Sequence, residues 1–286
     1  MSTARRDALL AWYDANRRPL PWRQTRDPYA VLVSEVMAQQ TQIVRVVPHY
    51  ERFLALFPTP ESLARAPLAE VLAAWSGLGY NRRARFLHDA AAHVVQHGWP
   101  TTSEELQALP GVGAYTAAAV ASIAFGEAVP AVDTNAKRVL SRWEATPLEG
   151  TRLAEAAAAA LDGDRPADWN QAMMDLGARV CMPKPDCDSC PVTDWCADAS
   201  VYSAPARQAR FSGSTRQARG AVVRALVHGN SASHAALAKQ TGLATTRLRE
   251  ALEALESDGL VERSGRRWQL PAAAGRISGG TTPGSS

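Results

Sequence analysis

The sequence lacks the marks of a secreted or membrane protein. No stretch of its 286 residues approaches the ~20 consecutive apolar residues that a membrane-spanning helix needs. The first residues, MSTARRDALLAWYDANRR, have no apolar core followed by a cleavage site, so they do not resemble a signal peptide. Alternation typical of strands is also scarce, whereas runs such as EAAAAAL favour helix. We therefore expect a cytoplasmic protein with an all-α body.

The sequence also lacks a large excess of charge of either sign. Lys and Arg number 31 and Asp and Glu 28, which gives a formal charge of +3 and a pI of about 8.8. This balance is compatible with a polyanionic partner but is too mild to establish one. The hydrophobic fraction of 46% is ordinary for a globular protein, and the length is sufficient for two or three domains.

Cysteine is rare, and all four cysteines fall in one short window, CMPKPDCDSCPVTDWC. The spacing is C-x5-C-x2-C-x5-C, formed by Cys181, Cys187, Cys190 and Cys196. In a reducing compartment such clustering indicates a metal site rather than disulfides. Zinc commonly takes two C-x2-C pairs, and this window has one. An iron–sulfur cluster held by four thiolates is therefore favoured over zinc, and free thiols are the third interpretation.

Composition divides the chain into four regions. Residues 1 to about 200 show dense helical periodicity, and residues 201–219 are polar and basic, which predicts a linker. Residues 220–271 form a compact second pattern. Residues 272–286 are rich in Gly, Ser and Thr, which predicts a disordered tail.

The stretch LPGVGAYTAAAV predicts a tight turn that leads into a helix starting near Ala114. Gly111 and Gly113 permit a positive φ and leave the helix N-terminus open to a ligand. Exposed amides at such a terminus, together with the helix dipole, can hold a DNA phosphate. The alternative is a plain turn between two helices.

Three features in this order resemble the helix–hairpin–helix DNA glycosylases of the endonuclease III superfamily. They are the glycine hairpin, an aspartate about 20 residues later at Asp133, and the trailing cysteine window. Within that superfamily, the local sequences resemble the MutY-type adenine DNA glycosylases, and the resemblance covers residues 1 to about 200. The matching stretches are LPWRQTRDPY, SEVMAQQT, GLGY, LPGVGAYT, DTNAKRV and NQAMMDLG.

The resemblance implies a two-lobed fold and a cofactor. A six-helix barrel lobe with the helix–hairpin–helix is expected at residues 27–133. A second lobe, made of residues 1–26 and 134–200, is expected to carry a [4Fe-4S] cluster. The implied partner is double-stranded DNA with a mispaired or damaged base, bound by a monomer in the bacterial cytosol or nucleoid and without a membrane.

The resemblance also assigns the chemistry. Glu35 is expected to protonate the purine ring, and Asp133 to stabilise or trap the sugar cation, with Tyr115 and Asn135 orienting Asp133 and the attacking water. Strand-cutting members carry a lysine at the position of Tyr115. A phenol cannot form an imine, so this chain is expected to remove the base without cutting the strand.

The segment DPYAVLVSEVMAQQTQIVRVV, which holds Glu35, is interpreted as one helix entered through Asp27 and Pro28. Its predicted apolar face includes Tyr29, Leu32, Val33, Val36, Met37, Gln40, Ile43, Val44 and Val47. From periodicity alone, Glu35 on the flank of this face reads as a solvated glutamate. Its role as a proton donor requires burial that raises its pKa.

DNA contacts are implied as well. Gln39 and Gln40 resemble residues that fill the vacated stack and touch the opposite strand. The arginines after GLGY are expected to meet phosphates or the estranged base, with a solvated basic face as the alternative. The expected DNA-contacting residues are Gln39, Gln40, Tyr80, Asn81, Arg82, Arg83, Leu109, Gly111, Val112 and Gly113.

Three departures from the family pattern leave the excised base open. Ala38 stands where the family often has leucine, and Asn81 stands where a second tyrosine often follows GLGY. The cysteine spacing is one residue shorter than the usual x6-x2-x5. Adenine opposite 8-oxoguanine or guanine is the expected substrate of this base-excision-repair hydrolase. The alternatives within the class are hypoxanthine or another damaged purine, or mismatched thymine or uracil.

The C-terminal region differs from the NUDIX-like domain that many adenine glycosylases carry. Residues 220–271 predict a winged helix, with helices in SHAALAKQTGL and TTRLREALEALESDG and a two-stranded wing in LVERSGRRWQL. Its arginines can contact DNA, or the region can serve packing or partner binding. A rival from another class is therefore a winged-helix regulator that senses iron or redox state. The arginines are Arg247, Arg249, Arg266 and Arg267, and the predicted core leucines are Leu248, Leu252 and Leu255.

Overall fold

The computed structural model describes residues 3–202, 210–229 and 231–271, which form fourteen α-helices and three short strands. The helices are α1 (Thr3–Asn16), α2 (Pro28–Ala38), α3 (Ile43–Leu56), α4 (Pro60–Arg65), α5 (Leu68–Trp75), α6 (Arg82–His97), α7 (Ser103–Leu106), α8 (Ala114–Ala124), α9 (Thr134–Trp143), α10 (Gly150–Ala160), α11 (Pro166–Arg179), α12 (Thr215–Gly229), α13 (His234–Thr241) and α14 (Thr245–Ser257). The strands are β1 (Ser231–Ser233), β2 (Glu262–Ser264) and β3 (Arg267–Gln269). Short 3₁₀ turns occur at Pro21–Arg23 and Thr193–Trp195.

The described residues form two compact units, each made of two chain segments. The first unit consists of Met1–Leu54 and Gln96–Gln208, and the second of Ala55–Val95 and Ala209–Ser286, as far as these are described. The body is mostly helical, as the sequence predicted. The expected lobe boundaries at residues 26, 133 and 200 stay a prediction.

In the first unit, α1, α9, α10 and α11 surround one hydrophobic core. Tyr13, Val139, Trp169 and Leu176 are each at most 2% exposed there. Helices α9 and α11 pack closely because α11 has a glycine at the contact. A Cβ built on Gly177 would lie 2.6 Å from the Cβ of Asn135. The N-terminal turn of α9 is thereby fixed against α11.

A second packing contact of this unit joins α2 to α8. The alanines of α8 have short side chains, so the backbones of the two helices can approach closely; Ala117 and Ala119 are fully buried. The loop after α8 is fixed by the buried Asn170 of α11. Its amide accepts from the Ala131 nitrogen at 3.0 Å and donates to the Val129 carbonyl and Ser122 Oγ at 2.9 Å. This loop leads directly to Asp133.

The prediction of one continuous helix from residue 28 to 47 is wrong. Helix α2 ends at Ala38, and α3 begins at Ile43, with Gln40 between them in the left-handed region at φ 53°. The turn changes the phase of the apolar stripe. Val44, predicted on the buried face, is 80% exposed, whereas Val46 is fully buried. The polar run Gln39–Gln42 offers no apolar side chain to continue the helix through the core.

The second unit contains the C-terminal elements in the order α12–β1–α13–α14–β2–β3. The strands form one antiparallel sheet with the order β1-β3-β2, in which Ala232 pairs with Trp268 and Arg263 pairs with Trp268. Both helices and the hairpin expected here are present, and the leucines predicted for the core of α14 are at most 1% exposed. Strand β1 was not predicted, since SAS carries no apolar alternation. The assignment as a winged helix stays an interpretation.

The predicted linker differs from the structure in its second half. Helix α12 begins at Thr215, five residues before the expected domain start, and Ala218 is 2% exposed. Apolar residues of α12 such as Val222 pack within the unit, where α12 also contacts α5. Residues 203–209, the centre of the predicted linker, and residues 272–286, the predicted tail, lie outside the described residues.

The end of α14 is tied to α6 within the same unit. Arg85 donates from Nη1 to the Asp258 carbonyl at 2.6 Å, and Arg82 lies 3.7 Å from the Asp258 carboxylate. Arg219 of α12 also pairs with this carboxylate. The three arginines therefore link α6 and α12 to the last turn of α14.

Among the helices described, none has the length and apolar character needed to cross a bilayer.

The close packing of α9 on α11 predicts a stability defect for Gly177→Ala. A helical glycine-to-alanine change normally stabilises by up to about 1 kcal/mol. Here the new methyl group would overlap Asn135, so we expect a net loss of about 1–2 kcal/mol. The shift of the urea midpoint measures it. Gly220→Ala within α12 is the matched control, because it is also a helical glycine and a Cβ there would meet only the end of the Arg224 side chain, at 3.5 Å. Equal midpoints for the two variants would contradict the packing argument.

Candidate active site

Three helices of the first unit bring two carboxyl groups to one place. Glu35 lies in the second half of α2, Tyr115 near the start of α8, and Asp133 just before α9. The Tyr115 hydroxyl hydrogen-bonds the Glu35 carboxyl, and the Asp133 charge acts on both side chains. The Glu35 and Asp133 carboxyls are therefore near enough for the charge of one to act on the other.

The Glu35 carboxyl is suited to hold a proton at neutral pH. Burial, the largest cause, and the nearby Asp133 charge together raise its pKa from 4.5 to about 7. The Tyr115 hydrogen bond and the Arg23 charge act in the opposite direction. Glu35 as a whole residue is partly exposed, although its carboxyl group is buried. A carboxylic acid of this kind can donate a proton to a bound group.

Tyr115 is a neutral phenol that interacts with both acids. Burial raises its pKa well above 10, and the charges of Glu35 and Asp133 add to this shift. Its hydroxyl also lies 3.5 Å from Met174 Sδ on α11. The side chain packs against Ala118 and Ala119 of its own helix, so the ring has a fixed place.

Asp133 is the N-cap of α9. Its Oδ1 accepts the backbone N–H groups of Asn135 at 2.9 Å and of Ala136 at 2.7 Å, and its Oδ2 accepts the Asn135 side-chain amide at 2.8 Å. Three donors and the helix N-terminus thus surround a carboxylate. The pairing of Asp133 with Asn135 agrees with the orienting role expected of Asn135.

Arg138 connects this cap to the cysteine window. Its Nη2 donates to the Asn135 side-chain oxygen at 2.9 Å and to the Gly177 carbonyl at 2.7 Å, and its Nε donates to the Cys181 carbonyl at 2.8 Å. The guanidinium therefore holds the Asn135 amide in the orientation that points its NH₂ group at Asp133.

A buried ion network that was not predicted from the sequence acts on Glu35. Asp175 of α11 is fully buried and pairs with Arg23 at 2.6 Å and Arg18 at 2.5 Å. Burial alone would raise the pKa of Asp175, but the hydrogen bonds and charges of Arg23 and Arg18 lower it. Two sequence features could have indicated this network. They are Asp175, an aspartate on the apolar face of the helix in NQAMMDLG, and Arg23, the arginine of LPWR. The network fixes the Arg23 charge that acts on Glu35.

The four cysteines line a single cavity of about 100 Å³. Cys181 is buried, and Cys187, Cys190 and Cys196 are partly exposed. Burial raises the pKa of the Cys190 and Cys196 thiols, and the charges of neighbouring cysteines add to the shift. Four thiolates here would repel one another without a cationic group between them. Within the described residues, no three His, Cys, Asp or Glu side chains are arranged to hold a single metal ion.

Arg142 holds the start of the cysteine window. It is 1% exposed and donates to Cys181 Sγ at 3.1 Å and to the carbonyls of Met182 and Pro183 at 2.8 and 3.1 Å. It also donates to the Val201 carbonyl at 3.0 Å. One buried guanidinium from α9 therefore joins the start of the window to Val201, which lies shortly after its last cysteine.

The glycine hairpin has the predicted conformation. Gly111 has φ 75°, and Gly113 is the N-cap of α8 with no side chain to cover the first amides. Gly111 and Gly113 are exposed, whereas Leu109 and Val112 are 2% and 7% exposed. A ligand at this hairpin would therefore meet backbone amides, and the two apolar side chains would anchor the turn from inside. The DNA contact itself stays a prediction.

The glutamines after α2 differ from each other. Gln39 donates from Nε2 to Thr116 Oγ1 of α8 at 3.1 Å, so it bridges the α2 end to the hairpin helix. Gln40 is exposed and has a left-handed backbone. The expected role of Gln39 and Gln40 in filling a vacated base stack stays a prediction.

The remaining predicted DNA-contacting residues belong to the second unit. Arg83, which is expected to meet a phosphate or the estranged base, is partly buried in the structure, and that contact stays a prediction. Its guanidinium lies over the rings of Trp75 and Tyr80 and donates to the Gly79 carbonyl at 3.2 Å, and burial lowers its pKa to about 10. The Arg82 side chain is 58% exposed and lies over Phe86, so it keeps access to solvent. Asn81 directly precedes α6 and is partly exposed.

The comparisons with known proteins place this arrangement in a repair superfamily. The model of the HhH-GPD superfamily base excision DNA repair proteins matches residues 33–161, which include Glu35, the hairpin and Asp133. The chain belongs to the HhH-GPD superfamily of base excision DNA repair proteins.

Within this superfamily, the similar curated proteins are adenine DNA glycosylases. The protein of Mycolicibacterium smegmatis is 39% identical over 269 residues, which cover 90% of this chain and 92% of the relative. The human protein is 46% identical over 213 residues, which cover 68% of this chain. Only 39% of the human protein is matched, so this chain spans about two fifths of the length of that relative.

Solved structures show the same fold. A thermostable thymine-DNA glycosylase has a TM-score of 0.63 and 31% identity, and the match covers 68% of this chain and 95% of that chain. A non-covalent endonuclease III–DNA complex has a TM-score of 0.59 and 25% identity, with coverage of 70% and 97%. The resemblance to the endonuclease III superfamily is thus confirmed.

The raised pKa of Glu35 predicts a specific dependence of stability on pH. The folded state binds this proton more tightly than the unfolded state, so the contribution of Glu35 to stability falls as pH rises from 4.5 to about 7 and is constant above that. Glu35→Gln removes the titration. We expect the unfolding free energy of this variant, relative to wild type, to increase by roughly 2–3 kcal/mol between pH 5 and pH 8.

Urea unfolding of both proteins at the two pH values measures this difference. Glu155→Gln on the exposed face of α10 is the control, and its difference from wild type should not change with pH. A Glu35→Gln difference that is the same at pH 5 and pH 8 would show that Glu35 is an ordinary solvated acid.

Proposed function

We propose that this chain is a monofunctional DNA glycosylase of base excision repair, which hydrolyses the N-glycosyl bond of adenine mispaired with 8-oxoguanine or guanine. The carrying observation is the pair of carboxyl groups in the first unit. Burial raises the pKa of Glu35 to about 7 next to Asp133, whose charge is surrounded by N–H donors. The similarity to adenine DNA glycosylases over most of two mycobacterial relatives supports the choice of base.

The leaving base needs a proton. Adenine departs poorly as an anion, and protonation of a ring nitrogen converts it to a neutral leaving group. Glu35 holds a proton at neutral pH because its carboxyl is desolvated. In this mechanism the Glu35 proton moves to the purine ring as the C–N bond lengthens, and the bonding electrons leave with the base.

The sugar then carries positive charge. Asp133 supplies a carboxylate with a fixed orientation, since Asn135 and the first amides of α9 hold both of its oxygens. It stabilises the oxocarbenium ion electrostatically or by transient bonding at the anomeric carbon. Water attacks that carbon, and its proton passes to the carboxylate that Glu35 has become. The products are free adenine and an abasic site.

Strand cleavage is not expected to accompany base removal. An imine with the sugar requires an amine, and the position after the hairpin holds Tyr115, a neutral phenol. Its hydroxyl instead hydrogen-bonds Glu35. Tyr115 therefore positions the acid.

The glycine hairpin is suited to hold the DNA backbone. Gly111 and Gly113 are exposed, and α8 begins without a side-chain cap. Its first amides and the helix dipole can bind a phosphate next to the extruded nucleotide. Duplex DNA is the proposed partner, bound in the cytoplasm by a monomer.

The residues of the cysteine window fit a [4Fe-4S] cluster. All four thiols line one cavity, and Arg142 donates to Cys181 Sγ as a partner for a thiolate. Cys181, Cys187, Cys190 and Cys196 would hold the cluster, which would supply structural cross-linking of a loop with few buried apolar residues. Arg138 and Arg142 couple this loop to α9, whose first turn carries Asp133 and Asn135.

Base release under single-turnover conditions tests the proposed activity. Duplexes with adenine opposite 8-oxoguanine or guanine should lose adenine, and abasic products should stay uncut until alkali is added. Glu35→Gln should slow release by about 10²–10⁴-fold, since it removes the proton donor and keeps the shape of the side chain. Glu155→Gln should retain the wild-type rate. Wild-type protein that releases no adenine from either duplex would rule out the proposal.

A second candidate is removal of thymine from a mismatch. The structural neighbour described as a thymine-DNA glycosylase shares 31% identity with this chain. Ala38 and Asn81 also depart from the adenine glycosylase pattern. The same assay with thymine opposite guanine decides between the two. Duplex binding without release of any base would instead favour the regulatory alternative.

Metal analysis tests the cluster. We expect iron and acid-labile sulfide in equal amounts, about four of each per chain, and a broad visible absorbance band. Cys190→Ser should lower the iron content, because one thiolate ligand is lost. Ser189→Ala in the same loop is the control and should keep full iron. One zinc ion per chain, without sulfide, would show that the window holds zinc and not an iron–sulfur cluster.

A further inference from the structure

Two buried arginines of the first unit lack a carboxylate partner. Arg5 of α1 is 7% exposed, and Arg142 of α9 is 1% exposed. In the part of the chain that the structure describes, neither guanidinium forms an ion pair. Arg23, by contrast, pairs with the buried Asp175 at 2.6 Å. Because a buried charge is costly unless an opposite charge offsets it, Arg5 and Arg142 require an anion nearby.

Arg142 lies at the first cysteine of the window. It lines the cavity that the four cysteines share, and its Nη1 donates to Cys181 Sγ at 3.1 Å. Its other side-chain hydrogen bonds within the described residues go to neutral carbonyl oxygens, such as those of Met182 and Pro183. Among these partners, the Cys181 sulfur is the one that can carry a negative charge.

Arg5 lies near the last cysteine of the window. Its Nη1 donates at 3.3 Å to the carbonyl of Trp195, the residue before Cys196. Its guanidinium lies 4.3 Å from the centre of the Trp143 ring, and Trp143 lines the cysteine cavity. Within the described ranges, the buried Nε of Arg5 has no hydrogen-bond partner. The Arg5 charge is therefore held beside the cavity without a partner for each of its donors.

Negative charge in the window acts on Arg5. Burial lowers the pKa of the Arg5 guanidinium, and the charges of Glu144 and Cys196 raise it. The Glu144 residue is exposed, so solvent screens its charge. Cys196 is partly buried against the hydrophobic core of the unit, where screening is weaker. The two guanidinium groups thus accompany the two ends of the cysteine window, Arg142 at Cys181 and Arg5 at Cys196.

From this placement we infer that Arg5 and Arg142 are the counter-charges of the cysteine site, and that they raise the reduction potential of a [4Fe-4S] cluster held there. The inference rests on the proposed cluster. Four thiolates outweigh the positive charge of an iron–sulfide core, and reduction adds a further negative charge. Cations at both ends favour the reduced form, since the potential depends on net charge and on hydrogen bonds to the sulfurs.

The reduction potential of the full chain tests this inference. The protein is purified without oxygen and titrated electrochemically. The titration is followed by visible absorbance, so that the midpoint does not depend on the fraction of chains that carry iron. Arg5→Gln removes the charge, and Arg5→Lys keeps it. Arg6→Gln is the matched control, because Arg6 is the next residue of α1, is partly exposed, and donates to the Ala159 and Ala160 carbonyls.

We expect Arg5→Gln to make the midpoint potential more negative. At a fixed potential, the ratio of oxidised to reduced cluster should rise by about four- to fifteen-fold, the size of one charge–charge interaction across roughly 10–20 Å at an effective dielectric constant of about 20. This fold-change corresponds to about 35–70 mV for a one-electron couple. Arg5→Lys should keep most of the wild-type potential, and Arg6→Gln all of it.

Variants of Arg142 provide a second comparison. Arg142→Gln should lower the midpoint at least as far as Arg5→Gln, because it also removes the hydrogen bond to Cys181 Sγ. Arg142→Lys keeps the charge but loses the planar fork of donors, so its midpoint should lie between those of Arg142→Gln and wild type. If Arg142→Gln does not fold, the Arg5 variants decide the inference.

An unchanged midpoint in an iron-loaded Arg5→Gln protein would overturn the inference. An equal fall in Arg5→Lys would overturn it as well, because the effect would then come from packing and not from charge. Failure of the proposed cofactor is distinguishable, since wild-type protein would contain no iron and sulfide, and the inference would fall with it. Wild-type protein that shows the expected midpoint shifts in its variants but releases no adenine would reject the proposed activity and support the counter-charges.

Discussion

The electrostatic relation between Glu35 and Asp133 is the constraint on which the site depends. Two carboxyl groups this close cannot both be ionised without a cost, and their environments separate them. The Glu35 carboxyl is buried and accepts a hydrogen bond from the Tyr115 hydroxyl, whereas the Asp133 carboxyl accepts three N–H donors at a helix start. Glu35 thus holds a proton near neutral pH, and both oxygens of Asp133 have N–H partners. The fold achieves this by packing α2, α8 and α9 around the pair.

The rest of the first unit restricts how far this pair can move. Asn170 holds the loop that enters Asp133, and Gly177 allows α11 to contact the first turn of α9. Arg138 then carries the restraint to the cysteine window, because it contacts both Asn135 and the Cys181 carbonyl. A metal cluster in that window would therefore affect the geometry of the site without touching the substrate. The Arg138 guanidinium and helix α9 thus connect the Asp133 site to the cysteine window.

The parts of the site that depend on local sequence could be predicted. Asp27 caps α2, Asp133 caps α9, and Gly111 makes the hairpin turn, since each acts on residues within a few positions of itself. The break at Gln40 was missed because helical periodicity continues across it in sequence although the chain turns.

Tertiary partners account for the other omissions. Nothing near Asp175 in sequence reveals its pairing with Arg18 and Arg23 at the other end of the chain. Likewise, β1 forms only because β3 pairs with it, and the start of α12 is helical because Ala218 and Val222 find apolar neighbours in the unit. The family resemblance supplied the expected role of Glu35, which periodicity alone did not. The contacts that shift the pKa of Glu35 depend on the folded structure.

The charges of the C-terminal region argue for a particular use of its elements. The exposed face of α14 carries Glu250, Glu253 and Glu256, and its exposed Arg249 lies 3.9 Å from Glu253. A helix with this face is poorly suited to enter a major groove, where phosphates line both edges. The β2–β3 hairpin is the more basic element, with exposed Arg263, Arg266 and Arg267. If this region contacts DNA, its charge favours the hairpin and the start of α12 over α14. The helix then serves chiefly as the packing surface that fixes α12.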